Sequence, residues 1–296
     1  MSNPNITPVA QKYVVAARVP HEKQYFFHDP GMVRLDDGTL IIAAPQWQFM
    51  RFGGDQTIRI FRSEDYGITW EETVSFPGSD AAPFIIGDQL LMFVQYIGHS
   101  DFQIIASDDR GLTWTDPVTV LEAPVWNITT PMVVHTDAVY WAMDYDMLGQ
   151  PCHGKVMVRF NRDKSPLDPS AWSMSNIVTQ PDLPQQMTRY LYGAPEGESS
   201  WKGTSANWLE PNTVDVIGRI RVFTRCNIDR YASASTAAVL DYDKDSNCLS
   251  FTQFTSWPGG QCKFFIIDDR DSKKYWMLSN LVTNSQDLLG WGDRWR

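Results

Sequence analysis

Ser63-Glu64-Asp65-Tyr66-Gly67-Ile68-Thr69-Trp70 and Ser107-Asp108-Asp109-Arg110-Gly111-Leu112-Thr113-Trp114 are two copies of one eight-residue pattern. Both read Ser-x-Asp-x-Gly-x-Thr-Trp, and each follows a β-like run, residues 57–62 and 102–106. Ser and Asp side chains accept backbone N–H bonds and close a tight turn. Gly supplies a backbone angle that other residues resist. Trp opens the returning strand and turns towards the interior. Recurrence at a spacing that suits one small sheet signals a repeat architecture, most naturally a β-propeller.

The rest of the chain agrees with an all-β reading. Strand-like runs recur at 40–44, 89–96, 138–143, 155–160, 219–224, 235–240, 263–267 and 275–278, and no long amphipathic helix interrupts them. Asp37-Gly38, Gly87-Asp88 and Asp271-Ser272 are turn signals between such runs. Residues 179–204 differ: Pro181, Pro184 and Pro195 among Gly and Ser predict a long loop over one face. A length of 296 residues holds about six blades of 45–50 residues each. The expectation is a single propeller domain over 1–296, six-bladed, either complete or lacking part of its last blade. The ending Trp291-Gly292-Asp293-Arg294-Trp295-Arg296 is not an evident closing strand.

Composition narrows the partners. Lys+Arg 25 against Asp+Glu 35 gives a net charge of −10 without a dense basic run, which argues against nucleic acid. No stretch is long and apolar enough to span a membrane. Twelve Trp residues suffice to fill a core and still line a sugar groove. Cys152, Cys226, Cys248 and Cys262 fit no zinc spacing, and scattered free thiols are expected over a disulfide. No phosphate loop or metal signature appears, so no cofactor is expected. Asp241, Asp243 and Asp245 alternate but lack the Gly and Glu of a calcium loop, and read as a polar hairpin tip. Met1 to Ala10 contains no signal-like segment, which makes a cytoplasmic location the default expectation and a secreted one the reading if a leader is missing.

The candidate chemistry centres on 208–225, Trp-Leu-Glu-Pro-Asn-Thr-Val-Asp-Val-Ile-Gly-Arg-Ile-Arg-Val-Phe-Thr-Arg. With Ile217-Gly218 as the hairpin loop, Glu210 falls directly opposite Arg225 on one face. Such a pair is either a preorganised polar site or a structural cross-strand salt bridge. Asp55 is the only carboxylate in the expected loop 47–55, where Trp47 and Arg51 precede it as candidate sugar-binding residues. Tyr96, His99, Asp144, Tyr145 and Lys263 sit at or near strand ends, where they line a mouth or simply finish strands.

The two eight-residue turns resemble the Asp-boxes of the sialidase (neuraminidase) superfamily. In that family the boxes lie on outer hairpins, so they imply the fold and not the chemistry. The segment from Glu210-Pro211 to Arg225 resembles the sialidase strand pair whose Glu polarises a tyrosine nucleophile and whose Arg belongs to a three-arginine cluster binding the substrate carboxylate. The resemblance therefore implies those roles for Glu210 and Arg225, and that of acid/base for Asp55. His28, in Phe27-His28-Asp29-Pro30, occupies the place of the first arginine. It lacks a permanent bidentate fork and is a hydrogen-bond donor, an acid/base group or a scaffold histidine. Ser279-Asn280 resembles the family's late strand with Leu281 in place of Pro, and Arg294 or Arg296 is the candidate third arginine. No tyrosine follows Tyr275, so the nucleophile is not assignable. Pro258-Gly259-Gly260 leading to Lys263-Phe264 resembles an uncharacterised subgroup of sialidase-like proteins. The resemblance implies a glycoside hydrolase acting on a terminal sugar of a glycan. A non-catalytic carbohydrate-binding propeller and a polysaccharide lyase are the alternatives.

Overall fold

The structure, a computed structural model, describes residues 12–48, 56–96, 101–126, 129–147, 153–182, 207–227, 236–259 and 262–280. Among these, all regular structure is β apart from one 3-10 turn, Pro169–Ala171. Short chain-adjacent strands build meanders. The first sheet contains β1 (Tyr25–Phe27), β2 (Gly31–Arg34), β3 (Leu40–Gln48), β4 (Thr57–Ser63) and β5 (Glu71–Pro77), ordered β1-β3-β4-β5 with β2 also on β3. The second runs β6 (Asp80–Ile86), β7 (Gln89–Gln95), β8 (Phe102–Ser107), β9 (Val118–Leu121). The third contains β10 (Val125–Trp126), β11 (Val133–Val134), β12 (Ala138–Tyr145), β13 (Gly154–Asn161) and β14 (Trp172–Met174), with β10 and β11 both on β12. The fourth runs β15 (Asn207–Val216), β16 (Arg219–Asn227), β17 (Thr236–Asp243), β18 (Cys248–Ser256), and β19 (Phe265–Asp269) pairs β20 (Lys274–Leu278).

The chain divides into two compact units, residues 1–99 with 103–118 and residues 100–102 with 119–296. In the first unit, alternate residues of β3, β4, β7 and β8 (Ile41, Ile58, Ile60, Leu90, Met92, Ile105) pack into one cluster. In the second, Tyr140, Trp208, Val222 and Leu240 anchor a larger cluster, while Val214, Phe264 and Ile266 form a smaller one. Each such side chain contributes about 1.5–3 kcal/mol on leaving water.

The repeated turns close as their composition demands. Asp65 Oδ1 accepts the N–H groups of Ile68 (3.0 Å) and Thr69 (2.8 Å), and its Oδ2 accepts the Thr69 hydroxyl at 2.6 Å. Ser63 Oγ accepts the Gly67 N–H at 2.8 Å, with Gly67 at φ 86. Asp109 repeats the arrangement with Thr113 N–H (2.8 Å) and hydroxyl (2.5 Å), and Ser107 Oγ with Gly111 N–H. The Thr hydroxyl first, and the Thr amide second, hold each carboxyl down at about 2. The second turn also fastens neighbouring strands within its unit: Arg62 donates to the Arg110 carbonyl and Thr73 to the Gly111 carbonyl.

Three first strands break or bulge at a proline, which has no N–H to continue a ladder. β1 and β2 are separated at His28-Asp29-Pro30, with Asp29 at φ 41. β10 and β11 are separated by a stretch containing Thr129, at φ 39, and Pro131. β15 bulges at Glu210-Pro211, with Glu210 at φ 59.

Several expectations need correction or fall outside the description. β3 runs to Gln48, so Trp47 lies on a strand paired with Phe26 and not on a loop. Arg51, Asp55, His99, Cys152, Leu281, Arg294 and Arg296 lie outside the described residues, as does all of the 179–204 segment beyond 182. Cys226, Cys248 and Cys262 are free thiols.

The box turns set two expected outcomes. A carboxyl whose folded pKa lies below its unfolded value adds stability that is complete above about pH 4 and disappears as the pH falls through about 2. Asp65→Asn/Asp109→Asn should therefore lower Tm at neutral pH and flatten the loss of stability between about pH 4 and 2, read by thermal melts across that range. Gly111→Ala should cost about 1–3 kcal/mol in urea unfolding, because φ is +86 and the new Cβ would meet Ile41 Cδ1 at 2.7 Å.

Candidate functional site

In the second unit, five charged side chains converge on the β15 bulge. The ladder pairs Val216↔Arg219 through Asn212↔Phe223 around the Ile217-Gly218 loop, then shifts so that Leu209 faces Arg225. Ile217, at φ 54 and 93% exposed, and Gly218, at φ 81, take the left-handed angles a two-residue loop needs. Glu210 and Pro211 thus share the space opposite Thr224, and Thr224 Oγ1 donates to the Leu209 carbonyl at 2.8 Å. The expected direct opposition of Glu210 and Arg225 is corrected by one residue. Their side chains nevertheless meet, because the bulge re-aims Glu210.

Arg225 grips Glu210 with two donors, Nε to Oε2 at 2.5 Å and one terminal amino group to Oε1 at 3.1 Å. Both residues are buried, at 6% and 8% exposure. Burial works against the Arg225 charge, but the Glu210 carboxylate, its hydrogen bonds and, further away, Asp144 outweigh it and raise the guanidinium pKa. Lys263 Nζ lies 3.8 Å from Glu210 Oε1, on the more exposed side of the pair. Asn280 holds the Lys263 carbonyl at 2.9 Å. Behind the bulge, Asp144 Oδ2 accepts the Glu210 N–H at 2.8 Å, and Asp144 Oδ1 accepts from Lys155 Nζ at 2.5 Å. Lys155 also donates to the Trp208 carbonyl at 2.8 Å and sits 4.9 Å from the Trp208 ring centre. Asn212 ties the bulge to the next sheet: its amide donates to the carbonyls of Glu210 and Phe264, and its oxygen accepts the Ile266 N–H.

In the first unit, the strand break delivers His28 onto an aromatic platform. Its ring stacks on Trp47 at 4.2 Å and 26°, with Phe26 edge-on at 6.1 Å. Trp47 is fixed by an indole bond of 2.7 Å to the Ser79 carbonyl. Two carboxylates flank the imidazole, Asp29 Oδ2 at 3.4 Å from Nε2 and Asp80 Oδ1 at 3.9 Å from Nδ1. Tyr96 stacks on Phe76 at 5.5 Å, packed against the core of that unit.

The BNR-Asp box repeat family model matches residues 60–73, the first of the two turns with its flanking strands. No curated protein is detectably similar to the chain in sequence. The Penicillium chrysogenum α-L-arabinanase complexed with arabinobiose superimposes with a TM-score of 0.52 at 13% identity, covering 86% of this chain and 75% of that one. A protein of unknown function from Dyadobacter fermentans gives a TM-score of 0.56 at 13% identity over 84% of this chain and 74% of its own. The Hadza microbial sialidase Hz136 gives 0.52 at 14% identity over 82% of this chain and half, 50%, of its own length. The chain is an all-β protein that carries Asp-box turns on a β-propeller fold. Identities this low carry the fold alone, so the chemistry has to be argued from the side chains.

Within this propeller, the structure brings Glu210, Arg225, Lys263 and Asp144 together in the second unit, and His28 and Trp47 in the first. Asp144, expected to line a mouth, is 0% exposed and ion-paired, so its place as a direct substrate contact is corrected: it lies behind Glu210. Sequence reading missed Lys155, Asp80 and Asn212. Proline at 211 within a strand was the available signal for the bulge that Asn212 braces. A groove of about 350 Å3 lined by Val133, Thr213, Asp215, Ile266, Asp268 and Arg270 includes none of the expected site residues, so concavity alone does not mark the charged cluster. Cys226, beside Arg225 in sequence, offers no nucleophile, since burial pushes its thiol up to about 12.

Removing one partner of a buried pair leaves the other charge uncompensated. Arg225→Met should cost about 3–5 kcal/mol in urea unfolding, and Glu210→Gln/Arg225→Met should recover a substantial part of that loss.

Proposed function

We propose that this chain is a sialidase-like glycoside hydrolase that removes a terminal sugar, sialic acid or another acidic sugar, from a glycan. The observation that supports it most is the buried Glu210–Arg225 pair on the β15 bulge with Lys263 beside it. A preorganised guanidinium and an ammonium suit an acidic or hydroxyl-rich sugar. Asp55 is the proposed acid/base, protonating the leaving oxygen and later activating water; it lies outside the described residues. Ordinary retaining glycosidases need a second, nucleophilic carboxylate about 5–5.5 Å away, which sialidases replace with Tyr. Glu210, with both oxygens on Arg225, is a poor nucleophile and fits better as the group that polarises one. The His28–Trp47–Phe26 platform of the first unit offers an aromatic face for a sugar ring. No cofactor enters the reading. Arabinosides belong among the substrates tried, because an arabinanase shares the fold.

The same full engagement of Glu210 favours a second reading, a carbohydrate-binding propeller without turnover. Umbelliferyl glycosides of sialic acid, galactose and arabinose separate the two. Wild type should release fluorophore from at least one, and Asp55→Asn and Glu210→Gln should each reduce kcat by about 100-fold or more. Saturable sugar binding with no turnover in wild type would overturn the hydrolase reading and leave the binder.

A further inference from the structure

Lys155 and Asp144 are placed side by side on neighbouring strands and are both withdrawn from solvent, at 0% exposure. An ion pair so deep is a costly way to fill a core, since apolar side chains of similar volume serve as well or better. Its geometry points outward from itself. Asp144 uses one oxygen on Lys155 and the other on the backbone N–H of Glu210. Lys155 uses one further bond on the carbonyl of Trp208, two residues before Glu210 on the same strand. The pair therefore holds β15 at both sides of Leu209. Glu210 sits there at φ 59, an angle that a residue with a Cβ adopts only when its surroundings impose it. That angle turns its carboxylate onto the fork of Arg225.

We infer that Asp144 and Lys155 are positioning residues: their buried pair fixes the bulge angle of Glu210 and so aims its carboxylate at Arg225. The inference rests on Glu210–Arg225 being the centre of the proposed site, but the geometry it asserts exists with or without catalysis. Asp144 supplies the acceptor for Glu210, and Lys155 keeps that acceptor in place while neutralising it. Neither touches the sugar.

Two double variants of the full chain separate positioning from mere packing. Asp144→Asn/Lys155→Met removes both charges and keeps an oxygen to accept the Glu210 N–H. Asp144→Ala/Lys155→Met removes the charges and the acceptor. Both replace a buried ion pair with neutral groups, so both should fold, as thermal melts would show. The Glu210 amide and the Arg225 Nε–H are then followed by 15N spectroscopy and hydrogen exchange, with the Val214 amide as an internal reference. In Asp144→Ala/Lys155→Met, the Glu210 amide should exchange at least 10-fold faster than in wild type and the Arg225 Nε–H should lose its hydrogen-bonded shift, while Val214 is unchanged. Asp144→Asn/Lys155→Met should restore both signals only in part, because it returns the acceptor but not the Lys155 bonds to that acceptor and to the Trp208 carbonyl. Where wild type turns over a glycoside, kcat should follow the same order, with a fall of 10-fold or more in the alanine variant and partial recovery in the asparagine variant. Wild-type signals at Glu210 and Arg225 in the alanine variant would overturn the inference. Should those signals move as stated while wild type cleaves no glycoside, the positioning pair stands and the hydrolase reading falls.

Discussion

The bidentate contact between Arg225 and Glu210 is the interaction on which the organisation of the second unit's charged cluster turns. A guanidinium and a carboxylate this well buried persist only when each satisfies the other. The unbroken register would set the two residues directly opposite each other; the bulge moves Glu210 one position out of that pairing, and its backbone angle re-aims the carboxylate onto Arg225. Pro211 withholds an N–H from the ladder, Thr224 holds the Leu209 carbonyl, and Asp144 receives the Glu210 amide. Local sequence, cross-strand bonding and a buried charge pair thus converge on one backbone angle.

The same economy operates in the first unit with different chemistry. There the strand stops at Asp29-Pro30 and the residue before the stop, His28, is delivered against Trp47. The Asp-box turns have another task. Their bonds close inside eight residues, and the second reaches across to the strands before it through Arg62 and Thr73. They make the scaffold stiff without contributing a reacting group, which is why a repeat so easily read implies so little about the substrate.

What was legible in the sequence follows from how local each determinant is. The box turns were legible because the side-chain bonds of their Ser, Asp and Thr close within the same eight residues. The Ile217-Gly218 hairpin was legible because alternation on both sides pointed to its centre. The one-residue shift beyond Asn212 was not, because it depends on Thr224 and Asp144, which approach β15 from separate strands. Lys155 was hidden for a related reason. The connection from β12 to β13 is long, so nothing in the sequence set their register, and a lysine opening an apolar strand reads as an ordinary strand end. Trp47 was placed on a loop because the apolar run weakens after Ala44, whereas pairing with β1 carries the strand on to Gln48. Asp144 was noticed as a strand-end acid, but its withdrawal from solvent depends on Lys155.

The central claim is that the Glu210–Arg225 pair is where this propeller meets sugar. The Arg225 Nε–H resonance, followed while the free sugar of the best substrate is titrated into wild type, tests that most directly. The account predicts a saturable shift whose midpoint matches the concentration at which that sugar inhibits turnover. Saturable inhibition by the sugar with the Arg225 resonance unmoved would place the site elsewhere and contradict it.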